Sequence, residues 1–110
     1  MDYKKTNAEV TTTTRDLRSL EAKTGNVYEA LAIISKRSNQ ISAEMREELT
    51  NKLAEFASNT DNLEEIFENR EQIEISKYYE RLPKPVLIAI QEFLEDKIYF
   101  RNPAKEPQNQ

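Results

Sequence analysis

The stretch NVYEALAIISKRSNQIS, Asn26 to Ser42, governs how the whole chain reads. From Val27 to Ile34 every position but Glu29 is apolar, and the run then turns polar and basic at Lys36, Arg37, Asn39 and Gln40. A helix that is apolar nearly all round must be covered on more than one side. The rest of the 110-residue chain, 37% hydrophobic and 33% charged overall, is too hydrophilic to cover it. The helix is therefore expected to complete its burial against another polypeptide.

Upstream, Thr24-Gly25-Asn26 punctuates the pattern, with Gly25 a helix C′ residue and Asn26 the N-cap of a helix predicted over Val27–Gln40. A short helix is expected over Arg15–Lys23, with Leu17, Leu20 and Ala22 as its apolar residues. Residues 1–14, ending in Thr11–Thr14, are polar and without helical period, and are expected to form a flexible tail.

Downstream, Ser42 is predicted to cap a second helix, with Glu44 and Glu47 in its first turns. Its stripe is Met45, Leu49, Leu53 and Phe56, ending near Ser58. Asn59–Asn62 is a predicted turn, and Asp61 with Glu64 fits a capping box. The helix it opens carries Leu63, Ile66, Phe67 and Ile73, continuing through Ile75, Tyr78, Tyr79 and Leu82. The two acidic helices are expected to pair as a hairpin. Pro83-Lys84-Pro85 stops the pattern, and Pro85 suits a first helical turn. Val86, Ile88 and Ile90 alternate as in a strand, while Val86, Ala89/Ile90 and Phe93/Leu94 repeat as in a helix; the helical reading is favoured. Residues 101–110 form a predicted flexible C-terminal tail. The expected fold is all-α: a small compact domain of four to five helices over 15–100, including an acidic insertion at 43–82, with disordered tails at both ends.

Composition removes most catalytic chemistry. The chain has no Cys and no His, so a disulfide framework, the usual zinc ligand sets and a Ser–His–Asp or Cys–His nucleophile are excluded. Its one glycine cannot build a phosphate-cradling loop. No cofactor or metal is expected. There is no 18-residue apolar run and no apolar signal core in MDYKKTNAEV, so no membrane partner is expected and a cytoplasmic location is. Residues 1–42 carry seven basic and five acidic groups, whereas 43–80 carry four basic and eleven acidic, a net of −7. A basic stripe with interleaved aromatics is missing, which argues against direct nucleic-acid binding. Glu64, Glu65, Glu68, Glu71 and Glu74 read as a solvated helical face rather than a cation site, because no calcium-loop spacing accompanies them. Tyr78-Tyr79 reads as core packing rather than a base-stacking platform.

Within the opening stretch, Tyr28-Glu29, Ala30/Ala32, Lys36-Arg37 and Gln40-Ile41-Ser42 resemble the signature helix of the omega family. That family comprises the small subunit of bacterial RNA polymerase and the related small common subunit of archaeal and eukaryotic polymerases. A second block, KPVLIAIQEFLE from Lys84 to Glu95, is similar to the family's C-terminal segment. The two blocks stand in family order, separated by a stretch that looks like a longer, acidic variant.

The resemblance implies a non-catalytic subunit that clamps the C-terminal region of the beta-prime chain and promotes its assembly within the alpha2-beta-beta-prime-omega complex. It further implies that Tyr28, Glu29, Ile33, Lys36, Arg37, Gln40 and Ile41 lie at or near the beta-prime interface. Arg37 and Gln40 would be polar anchors beside Ile33, with Val27, Leu31 and Ile34 serving the chain's own core. Some omega subunits bind guanosine tetraphosphate through an early Arg motif; MDYKKT lacks it, and that site is not carried over. The principal alternative is a free-standing helical adaptor or coiled-coil module that homo-oligomerises. Its heptad seam would be interrupted at Gly25, Asn59–Asn62 and Pro83–Pro85. A helix-turn-helix regulator would need more basic residues than Lys36-Arg37 supplies.

Overall fold

Gly25 and Asn26 set the first corner as the residues dictate. In the computed structural model, which describes residues 2–59 and 65–103 but not the side chains of 56–59 and 65–71, Gly25 adopts φ 81° and donates its N–H to Glu21 O at 2.6 Å. This left-handed residue ends helix α1, Leu17–Thr24, whose N-cap is Asp16. Asn26 then accepts the Tyr28 N–H at 2.8 Å and opens helix α2, Val27–Asn59. Helix α3, Glu65–Arg81, is followed by α4, Pro85–Leu94, which begins with the proline. A short 3-10 turn at Tyr3–Lys5 precedes them all. No strand occurs among the described residues, so the ambiguous Val86–Leu94 segment is helical. The Asp61–Glu64 box and the side chains of Phe56, Ile66 and Phe67 fall outside what is described, as do Leu63 and residues 104–110.

Helix α2 is the axis of the molecule, in contact with α1, α3 and α4, while α1 also touches α4. At 33 residues it is about 50 Å long. It corrects the expectation of two helices meeting at Ser42: the backbone runs through Asn39–Ser42 without a break. The physical reason is burial. Ala30, Ile34 and Ile41 are buried on one stripe, with Met45 packed against the same cluster, so the core face of the first half continues into the second. Ser42 is a good cap, but capping contributes only about 1 kcal/mol, and an unbroken apolar stripe outweighs it.

The core is completed by Leu20 of α1 and by Ile88, Ala89 and Phe93 of α4. It also includes Tyr3, only 2% exposed. Most of the segment before α1 lacks regular structure, in line with its polarity, but its start is anchored. The Tyr3 hydroxyl donates to Glu48 Oε2 at 2.8 Å, Tyr79 of α3 donates to the same oxygen at 3.2 Å, and Lys4 Nζ lies 2.7 Å from it. Three side chains from two elements, the 3-10 turn and α3, thus converge on one carboxylate of α2. The Lys4 and Tyr3 bonds, with a smaller share from Tyr79, hold the Glu48 carboxyl below the usual carboxylate range. Burial first, and the Glu48 carboxylate second, push the Tyr3 and Tyr79 phenols up. Further along, Asn7 donates to Glu95 Oε1 at 3.2 Å, a second mooring beyond α4.

The molecule measures 64 × 39 × 17 Å with a radius of gyration of 18.7 Å. A compact globule of this length would have about 13 Å. The difference comes from the shape of α2, whose C-terminal half leaves the core and pairs with α3 as the expected hairpin.

Candidate partner-docking groove

The C-terminal end of α4 decides where the last described residues go. Lys97 N–H reaches back to Glu92 O at 2.9 Å and Asp96 N–H to Phe93 O at 3.2 Å, the paired bonds of a Schellman turn. Asp96 occupies the left-handed position at φ 57° where glycine is usual. Its carboxylate is tied 3.0 Å from Lys23 Nζ at the end of α1. The turn sends residues 98–103 back along α2 as a non-helical strap. Ile98 packs on the core and the Phe100 ring lies 6.4 Å from that of Phe93, while Tyr99 between them is 88% exposed.

Between this strap and α2 lies a groove of about 390 Å³. Its helix wall is a stripe of α2 that includes Glu29, Ile33, Lys36, Arg37 and Gln40. Five of the seven residues expected at a partner interface therefore line a single cleft. Tyr28 does not line it and stands 79% exposed on the outside of the helix. Ile41 is a correction. It is fully buried among the chain's own core residues, seven positions after Ile34 on the same stripe, and presents no surface to a partner. Leu31, expected in the core, is instead 44% exposed.

Arg37 is held from within. Its Nε donates to Glu92 Oε1 at 2.8 Å and its Nη2 to Oε2 at 3.3 Å, a fork on a carboxylate of α4. The side chains are 11% and 3% exposed. Glu92 is the buried charged residue of the core, on a helix otherwise apolar on that side. Arg37 Nη1 also donates to Gln40 Oε1 at 3.3 Å, which fixes the amide on the groove wall. No buried side-chain polar atom among the described residues lacks a partner. Sequence reasoning missed Glu92 because it is embedded in the apolar run Val86–Leu94, where its charge reads as the outer face. The available signal was the long-range complement: a single Glu on α4 beside an Arg on a helix too apolar to carry one unpaired.

The groove offers binding chemistry. It contains apolar side chains, a fixed amide and the exposed ammonium of Lys36. Among the described residues no group of acidic side chains could hold a metal ion, and no helix is long and apolar enough to cross a membrane. The sequence profile of the RNA polymerase Rpb6 family matches residues 19–73, half of the chain, including the whole helix wall of the groove. The chain belongs to the RNA polymerase Rpb6 family. No curated protein matches the chain as a relative. Membership of the Rpb6 family makes the protein a small subunit of an RNA polymerase complex and places it in transcription. The match contains the signature helix and ends before the second block at Lys84–Glu95, so α4, which carries Glu92, and the strap that follows it lie outside the match.

Proposed function

We propose that the protein is a non-catalytic polymerase subunit that binds the beta-prime chain and promotes assembly of the core enzyme. The observation that carries this reading is the Rpb6-family match across a helix whose outward stripe is left open in a groove. Tyr28, Glu29, Ile33, Lys36 and Gln40 are the contact residues of this proposal. Arg37 supports them from behind through Glu92 and Gln40. The mechanism is mass action: a ligand that binds only the folded form of its partner stabilises it by about 2.7 kcal/mol at a hundredfold excess over Kd. A cytoplasmic, nucleoid-associated location through the polymerase follows from the same reading.

The test is refolding of the source organism's beta-prime chain from denaturant with and without a molar excess of this protein. A higher yield of beta-prime competent to join the alpha–beta subassembly, together with co-elution of the two chains in equal amount, is expected. Equal yields and separate elution would remove the proposal.

A further inference from the structure

We infer that residues 3–8 form a brace that locks the α2–α3 hairpin to the body of the molecule, so that withdrawing them frees α3 to move relative to α1 and α4. The brace is built at the base of the hairpin, from side chains that do not line the groove.

The hairpin has few other ties to the body. Among the helices, α3 rests chiefly on α2, while α1 and α4 pack on α2 and on each other. What joins α3 to the core gathers at its C-terminal end: Tyr79 is buried there, and Leu82, one residue past the helix, packs on the core cluster.

Both ends of the brace are fixed. At one end Tyr3 and Lys4 meet Tyr79 on the Glu48 carboxylate, and the Lys4 ammonium also stands 5.9 and 6.0 Å from the centroids of the Tyr3 and Tyr79 rings. At the other end Ala8 packs on the core and Asn7 binds Glu95 beyond α4. The segment therefore bridges from the hairpin to the end of α4. Residues 9–14, which follow, are exposed and non-helical, a tether that lets the brace leave without unwinding α1.

Charge couples the brace to α3. The Glu48 side chain is 37% exposed, so it has a path to water, and the Lys4 ammonium at 2.7 Å is the cation that holds it inward. Once that ammonium and the Tyr3 hydroxyl withdraw, the carboxylate is better satisfied by solvent than by the Tyr79 hydroxyl alone. Tyr79 then loses both its acceptor and the cation beside its ring, and with them the directional bond that fixes α3 on α2 at this level.

The experiment uses the full chain. It has no Cys, so two spin labels can be introduced without replacing a native thiol. With labels at Glu21→Cys on α1 and Lys77→Cys on α3, both exposed positions, pulsed electron resonance is expected to give one narrow distance distribution. Tyr3→Phe with Lys4→Met keeps the ring and the aliphatic stem but removes both polar contacts, and is expected to broaden that distribution or add a second population. Amide exchange in the same variant is expected to rise about tenfold over 75–82, the worth of one hydrogen bond to a charged group, with α1 and α4 unchanged. Tyr3→Phe alone is expected to give the same pattern at smaller amplitude. Phe93→Leu, a core change on α4, is the comparison and is expected to raise exchange in α1, α2 and α4 together. A native distance distribution in the double variant, or exchange raised equally in α1, α3 and α4, would overturn the brace and leave Tyr3 an ordinary core residue.

Discussion

Arg37 and Glu48 share a property that hydropathy conceals: both sit on the inward stripe of α2. Counting along that stripe gives Ala30, Ile34, Arg37, Ile41, Met45 and Glu48, spaced by three or four throughout. Each charged member is matched from another element, Arg37 by Glu92 and Glu48 by Tyr3, Lys4 and Tyr79. Removing one partner of a buried ion pair leaves an uncompensated charge and costs about 3 kcal/mol or more. Arg37→Glu is therefore expected to unfold more readily in urea by that amount, and the exchange Arg37→Glu with Glu92→Arg to recover more than half of it. A binding defect in the single variant would not separate interface from fold, whereas the double variant does. Glu48 predicts an acid response. Its folded carboxyl titrates below its unfolded value, so its contribution is present above the ordinary carboxylate range and is lost as pH falls through the folded value. Amide exchange at Tyr3–Lys5 is expected to accelerate as pH drops below that range, after correction for intrinsic exchange, and Glu48→Gln to show the faster exchange already at neutral pH. At Gly25, φ 81° makes Gly25→Ala cost about 1–2 kcal/mol by thermal unfolding, although nothing lies within 4 Å of the added methyl.

The long helix shows what local chemistry can and cannot decide. Corners made by backbone geometry were legible: Gly25 with Asn26, and Pro85 at the start of α4, act within three residues of themselves. The Ser42 break was not, because a capping residue competes with burial contributed by α4, more than forty positions away. Ala43 gives a clean discrimination. If a helix began after Ser42, proline at position 43 would be a favoured first residue. In a continuous α2 it removes a hydrogen bond and clashes with the preceding turn, at about 3 kcal/mol. Ala43→Pro is thus expected to lower the urea midpoint and reduce helical circular dichroism; an unchanged midpoint would restore the two-helix reading. The same competition explains the division of residues on α2. The resemblance put Val27, Leu31 and Ile34 in the core and Ile41 at the partner interface. The actual division is by face, with Ile34 and Ile41 inside and Tyr28, Leu31 and Lys36 outside.

At the scale of the molecule, all-α architecture and the family were readable from periodicity and from the signature helix, because both are written in consecutive residues. The groove was half readable. Its α2 wall is one helical stripe, but its strap depends on a turn made by Asp96 in a conformation usually given to glycine, and no sequence pattern announces that. The N-terminal anchor was not readable either, since Tyr3 stands alone in a polar segment. That anchor has a consequence for the order in which the chain is completed. Tyr3 meets Glu48 across 45 positions, and Asn7 meets Glu95 across 88. Contacts so distant close only after the intervening chain is organised. During synthesis, then, residues 3–7 are made long before they can find their places, and until α4 follows Tyr3 has no complete core to enter.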